Sequence, residues 1–529
     1  PHEANNAWLL RKLPADQDRL FVDAAAKQRQ DQPISTSSED FTAANYDLIA
    51  YTKAALWMQQ LEQHLGTPLF DSCMQAWFRL WQFRHPAPGD FRSVIESTSC
   101  QPQDSLFALL DKKGPLTPFN THRTIRPTLL FSARNTGQID YINILPALGV
   151  NKYDGLMLGA LIHNYNLPPD KFQFFLAPLY ATNSHQLNGI GGASYTWYPD
   201  NRFRKIVLGL TGSRFSSVSG ADSNGNKLFG GFYKFAPSLR LTLNNPTARS
   251  TLERWVEWKT YLIGEKSFTN YVIKSTDSIA YPLAAKKYAF RYLNQLSFNI
   301  EDKRALYPYR ALLQLQQASA FYRLNLTGNY FFNYSKGGGM DLRIFAAKFG
   351  YIGNKNSLND IQRYMPKLTG VTGNEDYTYS NYFYGRNEFT GLASQQIMIR
   401  DGGLKIRVPN FDFLEGRSDN WVAALNFNST LPRDLVPSWL PLKLFFDLGT
   451  YSGGWQNNAP TSKFLYTAGL QLSLFHNVFN IYAPVIYSSD FRDQLKTLAD
   501  QNGFFKKISF SIDIQNISIR TLFPNNIPL

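Results

Sequence analysis

The sequence predicts a small all-α segment followed by a transmembrane antiparallel β-barrel of about 12–16 strands. Three observations predict it. Apolar residues recur at helical spacing through roughly the first hundred residues, and the period changes to two after Lys112-Lys113-Gly114-Pro115. Charged residues make up only 18% of the chain against 15% aromatics, where a water-exposed globule carries about a quarter charged residues.

Within the helical part, the run from Tyr46 to Gly66 places Leu48, Tyr51, Ala55, Met58 and Leu65 on one face, with Gly66 free to end it at positive φ. Thr67-Pro68 reads as the start of a second helix whose face is Phe70, Cys73, Met74, Trp77, Phe78 and Trp81. His85-Pro86-Ala87-Pro88-Gly89 breaks that helix, and Asp90 caps a third through Val94 and Ile95. A further turn is expected from Asp104 to Leu110. The division is therefore 1–118 helical and 119–529 strand-forming.

In the second part, Tyr322, Leu324, Leu326, Gly328, Tyr330, Phe332 and Tyr334 alternate with Arg323, Asn325, Thr327, Asn329, Phe331 and Asn333. Shorter alternating runs occupy Leu239–Asn244, Leu296–Ile300, Trp421–Asn428, Leu470–Leu474 and Ile508–Gln515. Turn-rich spacers such as Asp222–Asn226 and Ser335–Gly339 separate such runs. A soluble sandwich or propeller also alternates, so strand length discriminates. Sandwich strands run to about five or six residues, whereas a membrane-crossing strand needs about nine to eleven. The longest runs reach that range, with large apolar and aromatic residues on one face and mostly Asn, Gln, Ser, Thr and Arg on the other. Closure is what satisfies every backbone group in lipid.

The formal charge of +14 implies affinity for anionic surfaces such as phospholipid or lipopolysaccharide head groups. Lysine and arginine are scattered, with no basic block and no nucleic-acid-binding motif, so nucleic acid is not expected as a partner. No window holds eighteen consecutive apolar residues, so any membrane role falls to strands. The two cysteines, Cys73 and Cys100, make no disulfide framework. The chain opens Pro1-His2-Glu3 without an initiating Met, which reads as a processed product or a fragment.

Asn45-Tyr46, Ala50-Tyr51-Thr52-Lys53-Ala54-Ala55, Leu61-Glu62-Gln63-His64-Leu65-Gly66 and Trp81-Gln82-Phe83-Arg84-His85-Pro86 stand close together in the helical part. With these words, residues from about 9 to 118 resemble the helical region that follows the zinc site of the aminopeptidase N family of gluzincin metallopeptidases. The resemblance implies a catalytic role for Tyr51, whose phenol would donate to the oxyanion of the tetrahedral intermediate beside a metal. Ala54 stands where the family usually has Gly. The seven histidines, His2, His64, His85, His122, His163, His185 and His476, include no His-Glu-x-x-His. The resemblance implies zinc in a parent protein, with its ligands upstream of Pro1, and a peptide substrate; this chain alone is expected to bind no catalytic zinc and to be inactive.

Phe445-Phe446-Asp447-Leu448-Gly449 fits a Phe-x-Asp-x-Gly strand word, preceded by Gly385-Arg386-Asn387-Glu388-Phe389 and Gly402-Gly403-Leu404-Lys405-Ile406. On these, residues from about 125 to 529 resemble the BamA-type, or bacterial surface antigen, outer-membrane barrels. That resemblance implies a loop folded into the barrel and a barrel-internal pair of Arg386 with Asp447. Thr467–Ser488 would form one of the last strand pairs and Ile508–Gln515 the closing strand, after which a tail with Pro524 and Pro528 departs from the family's aromatic end. The combined expectation is the C-terminal part of a zinc aminopeptidase-like protein, anchored by its barrel in the bacterial outer membrane. The alternative is a non-catalytic outer-membrane transport or assembly barrel with a peptidase-derived docking domain. Expected partners are outer-membrane lipid, a peptide and barrel-assembly or other outer-membrane proteins.

Overall fold

A computed structural model describes residues 17–516 apart from 121, 200–201, 222–224, 248, 275–279, 336, 354, 356–360, 409–415, 432–439, 476 and 498–502. The expectations for the termini, including the tail from 517 onward, lie outside the described residues.

The helical region opens with α1 (Gln17–Lys27), followed by a π-helical segment (Tyr46–Lys53) that runs directly into α2 (Ala54–Leu65). Gly66, at φ 79°, ends α2, and α3 (Thr67–Trp81) carries Pro68 in its first turn. The third helix, α4 (Pro88–Ser99), begins earlier than expected: Ala87 is its N-cap, and the Asp90 carboxylate one turn in accepts the Ala87 N–H at 2.7 Å. A short α5 (Asp104–Phe107) follows. The core of this region is Trp57, Leu61, Cys73, Ile95 and Phe107.

The expected buried face of the first long helix needs correction. Ile49, Lys53, Trp57 and Leu61 are buried, whereas Tyr51 and Ala55 face solvent. A π-helix adds about one residue per turn to the α-helical count. The apolar stripe therefore shifts phase at the junction, and a constant 3.6-residue period misassigns it.

Strands β1 (Thr124–Leu129) to β5 (Leu187–Trp197) come next, with β2 at Ile139–Asn151, β3 at Gly155–His163 and β4 at Phe172–Ala181. Four long strands follow: β6 (Phe203–Ala221), β7 (Lys227–Leu243), β8 (Leu252–Lys274) and β9 (Ala280–Asp302). Then come β10 (Tyr309–Gln317), β11 (Phe321–Asn333) and β12 (Gly339–Tyr351). A separate two-stranded sheet pairs β13 (Val371–Thr372) with β14 (Ile397–Met398). The large sheet resumes with β15 (Trp421–Thr430), β16 (Leu442–Tyr451), β17 (Leu465–Leu474), β18 (Phe479–Tyr487) and β19 (Ser509–Ile512). Helices α6 (Ser489–Thr497) and α7 (Phe504–Lys507) lie between the last two strands.

This sheet has seventeen strands. Since β1 pairs with β2 in parallel, sixteen strands remain in the antiparallel meander, which runs from β2 to β12 and then through β15 to β19. The expected closing strand over 508–515 is shorter than the alternation implies, because a 3₁₀ turn takes over at Ile514–Asn516. Among the described residues no register joins β19 to β1 or β2.

One long connection, between β12 and β15, enters the space enclosed by the sheet. It touches both ends of the meander: the Tyr382 hydroxyl donates to Val150 O of β2 at 2.9 Å, and Gln396 forms a parallel bridge with Phe510 of β19. The Gln396 side chain also donates to Tyr382 O at 2.8 Å. The sheet thus curls around this connection until its two ends flank the same pair of residues.

Candidate functional site

The interior of the sheet is held by ion pairs between strands and residues 361–408 of that connection. On β11, Arg323 is buried and binds Asp401, the Tyr364 carbonyl at 3.0 Å and the Tyr377 hydroxyl at 3.2 Å. On β8 and β9, Glu265 and Arg291 meet at 2.6 Å, and Glu265 also takes Arg363 at 2.8 Å and the Tyr379 hydroxyl. Lys367 pairs with Glu375 inside the connection itself. Apolar clusters fill the gaps between these pairs, one of them built on Leu368, Leu404, Ile406, Val422, Tyr451 and Leu465. The folded-in connection makes this interior a packed one.

Arg386 and Asp447 are both buried here, but they do not pair with each other. Asp447 accepts the Lys405 ammonium at 2.7 Å, the Lys405 N–H at 3.0 Å and the Asn426 amide at 3.0 Å. Arg386 donates to Asp376 at 3.0 Å and to the Gly373 carbonyl at 3.2 Å. The approach is close: a Cβ on Gly373 would stand 2.5 Å from Arg386 O, so only glycine fits. The physical reasoning that a confined aspartate needs a cation holds, with Lys405 supplying it. Lys405 lies in the Gly402–Ile406 word that drew attention only as a strand. Asp376 and Arg400, which completes the cluster around Asp376 and Asp401, carry no local motif that marks them.

The outward face has the opposite chemistry. Along β11, Arg323 is 1% exposed while Leu324 is 41% exposed, and Tyr322, Leu326 and Phe332 are exposed on the same side as Leu324. On β4, Phe172 and Tyr180 bracket Leu176, all three exposed. Tyr322 and Phe332 are ten residues apart, about 34 Å along an antiparallel strand and about 26 Å after a tilt of about 40°. That height matches an apolar band of about 25 Å edged by aromatic girdles.

Tyr51 occupies a different surface. Its ring is 62% exposed and sits edge-on to Tyr46, with centroids 5.6 Å apart. The Tyr46 hydroxyl is the main cause of a raised Tyr51 pKa, so the phenol stays neutral and able to donate. Two residues on, Lys53 turns inward and pairs with Asp31 at 2.8 Å; Asp31 also accepts the Gly114 N–H at 2.8 Å. This buried pair ties the π-helix to the segment leading into the sheet. No three His, Cys, Asp or Glu side chains converge among the described residues. The described residues therefore offer no ligand set for a zinc ion.

The helical region meets the sheet at one end. Lys27 at the end of α1 binds Asp170 in the β3–β4 turn at 2.6 Å, and Arg123, just before β1, binds Asp170 and Asp140. Arg249 in the β7–β8 turn donates to Phe41 O at 2.9 Å. Burial raises the Asp170 pKa, but Lys27 and Arg123 outweigh it and hold the carboxyl below its ordinary range. The folded-in connection emerges from the opposite end of the strands.

No protein-family model matches the chain, and no curated protein matches it. Among solved structures, CdiB from Acinetobacter baumannii is similar over 66% of this chain at 11% identity, with a TM-score of 0.31. The match spans 60% of the length of that protein.

Proposed function

We propose that the sheet forms a sixteen-stranded barrel in the bacterial outer membrane that works in transport or assembly, with the helical region as a docking module on its rim. The observation that carries the membrane reading is the reversed burial on β11: Arg323 and Asn325 are buried while Leu324 and Leu326 are exposed, between aromatic residues at both ends. In water this arrangement would sacrifice apolar burial on every strand; in lipid each outward side chain is already in its preferred solvent. The transport or assembly reading rests on the folded-in connection. Residues 361–408 are held by separable ion pairs to β8, β11 and β16, an arrangement that blocks an open pore yet can be released.

Expression in a Gram-negative host tests this reading. The protein is expected in the outer-membrane fraction, requiring detergent and migrating faster on unheated gels than on heated ones. Soluble recovery without a heat-dependent shift would refute it.

A second reading is favoured by one observation, the neutral, solvent-facing phenol of Tyr51 on a π-turn. In that reading the barrel anchors an aminopeptidase whose zinc and ligands come from outside this chain, and Tyr51 stabilises the oxyanion. Tyr51→Phe in an active parent protein should then lower turnover by about 10²–10³ with KM little changed. Unchanged turnover would remove this reading.

A further inference from the structure

At the end of the strands opposite the helical region, the outward surface of β4–β9 carries a cationic groove. His185 and Gln186, in the β4–β5 turn, line a cavity of about 520 Å³ together with Asn183, Lys227, Lys266 and Phe268. An adjoining cavity of about 450 Å³ shares Gln186, Phe229 and Lys266 with it and adds Arg214, Tyr233 and Phe290.

The registers fix which way these cations point. Lys266 stands opposite Tyr288, and Arg214 opposite Tyr233; both tyrosines are exposed on the apolar side of the sheet. Cross-strand partners share a face, so both cations sit on the outer wall. Their height follows from Tyr180, the aromatic end of the β4 stripe. Tyr180 is paired with Leu187, and Arg214 with Gly189 two residues further along the same strand. The cations therefore lie level with the aromatic girdle, where a bilayer's head groups meet its acyl chains.

Neutralisation is incomplete. Arg214 spends its donors on two neutral acceptors, Leu187 O at 2.6 Å and the Gln186 side chain at 3.0 Å. Among the described residues, Lys227 reaches only the Asn183 amide oxygen, at 3.5 Å. No ion pair of Lys266 is found among the described residues, and the adjacent Glu265 faces inward to Arg291 and Arg363.

We propose that this groove binds a phosphorylated glycolipid of the surrounding leaflet. Arg214, Lys227 and Lys266 would hold its phosphates, the Thr182 hydroxyl and the Asn183 and Gln186 amides its sugar hydroxyls, and Tyr233, Tyr288 and Phe290 its acyl chains. This assignment rests on the membrane-barrel reading. Three cations at one head group give the charge complementarity. The polar turn above them distinguishes a sugar-bearing head from a simple phospholipid.

The test uses the full chain purified in detergent and titrated with bisphosphorylated lipid A, its dephosphorylated form, phosphatidylglycerol and inorganic phosphate. Native mass spectrometry reads the bound fraction. Wild type should bind the bisphosphorylated lipid at least about tenfold more tightly than the other three. The triple change Arg214→Gln, Lys227→Gln, Lys266→Gln should remove most of that preference, and Lys303→Gln at the opposite end should leave it intact. Equal binding by wild type and the triple variant overturns the proposal, as does equal binding of the dephosphorylated lipid. Equal binding of phosphatidylglycerol overturns the glycolipid assignment, and displacement by inorganic phosphate shows an ion site only. Each variant must keep its heat-dependent migration. Loss of that shift in wild type defeats the barrel reading, whereas a retained shift with unchanged lipid binding defeats this proposal alone.

Discussion

The helical region and the sheet obey opposite burial rules within one chain. Around Trp57, Leu61 and Ile95 the helices put apolar side chains inside, and a fully buried ion pair, Lys53 with Asp31, sits at a junction. The sheet puts Arg323, Asn325 and Asp447 inside and Leu324, Leu444 and Leu470 outside. The same hydrophobic effect produces both patterns when the surrounding solvent differs, so the contrast is the one expected under the proposed reading, with water around the helices and lipid around the sheet.

The largest effect should come from breaking an interior pair. Lys405→Met leaves the Asp447 carboxylate buried with only neutral donors, at a cost of about 3–5 kcal/mol in refolding titrations into detergent or lipid. Adding Asp447→Leu should recover more than half of that loss; no recovery would mean the charges act independently. Next is a charge on the outer face: Leu326→Arg should cost about 2–4 kcal/mol in bilayers, and close to nothing if that face meets water. The corresponding change in the helical region, Leu61→Ala, should cost about 2–5 kcal/mol in water and in bilayers alike, because its cavity opens in a water-facing domain's core.

A smaller effect concerns the joint between the two regions. Because its partners depress the Asp170 pKa, that carboxylate stabilises docking above its unfolded value of about 4, and the contribution fades as pH falls through the lower folded value. Protease sensitivity of the segment around Arg123 should therefore rise in acid. Asp170→Asn should raise it at neutral pH and flatten the pH response. The smallest change is spectroscopic: Tyr46→Phe should bring the Tyr51 phenol back toward its ordinary pKa in an ultraviolet titration, without loss of stability.

The alternation from Tyr322 to Leu326 was readable, because strand period and facing solvent are both local properties of the sequence. The helix end at Gly66 was readable for the same reason, whereas Asp90 reads as the cap of a helix that in fact starts at Pro88. The phase of the Tyr51 face was not, since the π-segment carries no residue signature that a helical period detects. The interior pairs were half legible. Sequence words brought Arg386 and Asp447 forward as buried charges, and both are. Arg386 meets Asp376 through the internal fold of the connection, and Lys405 meets Asp447 through the docking of that connection against β16, neither of which a spacing records. Burial of Phe491 and Leu495 beneath the same connection is likewise a tertiary outcome.

The most direct test of the membrane-facing reading is a spin-label scan of residues 324–327 on β11 in bilayers, with Cys73 and Cys100 replaced by serine. Labels at 324 and 326 should be accessible to oxygen and shielded from a water-soluble nickel complex, while 325 and 327 show the reverse or no access. Equal nickel access at 324 and 326 would contradict it.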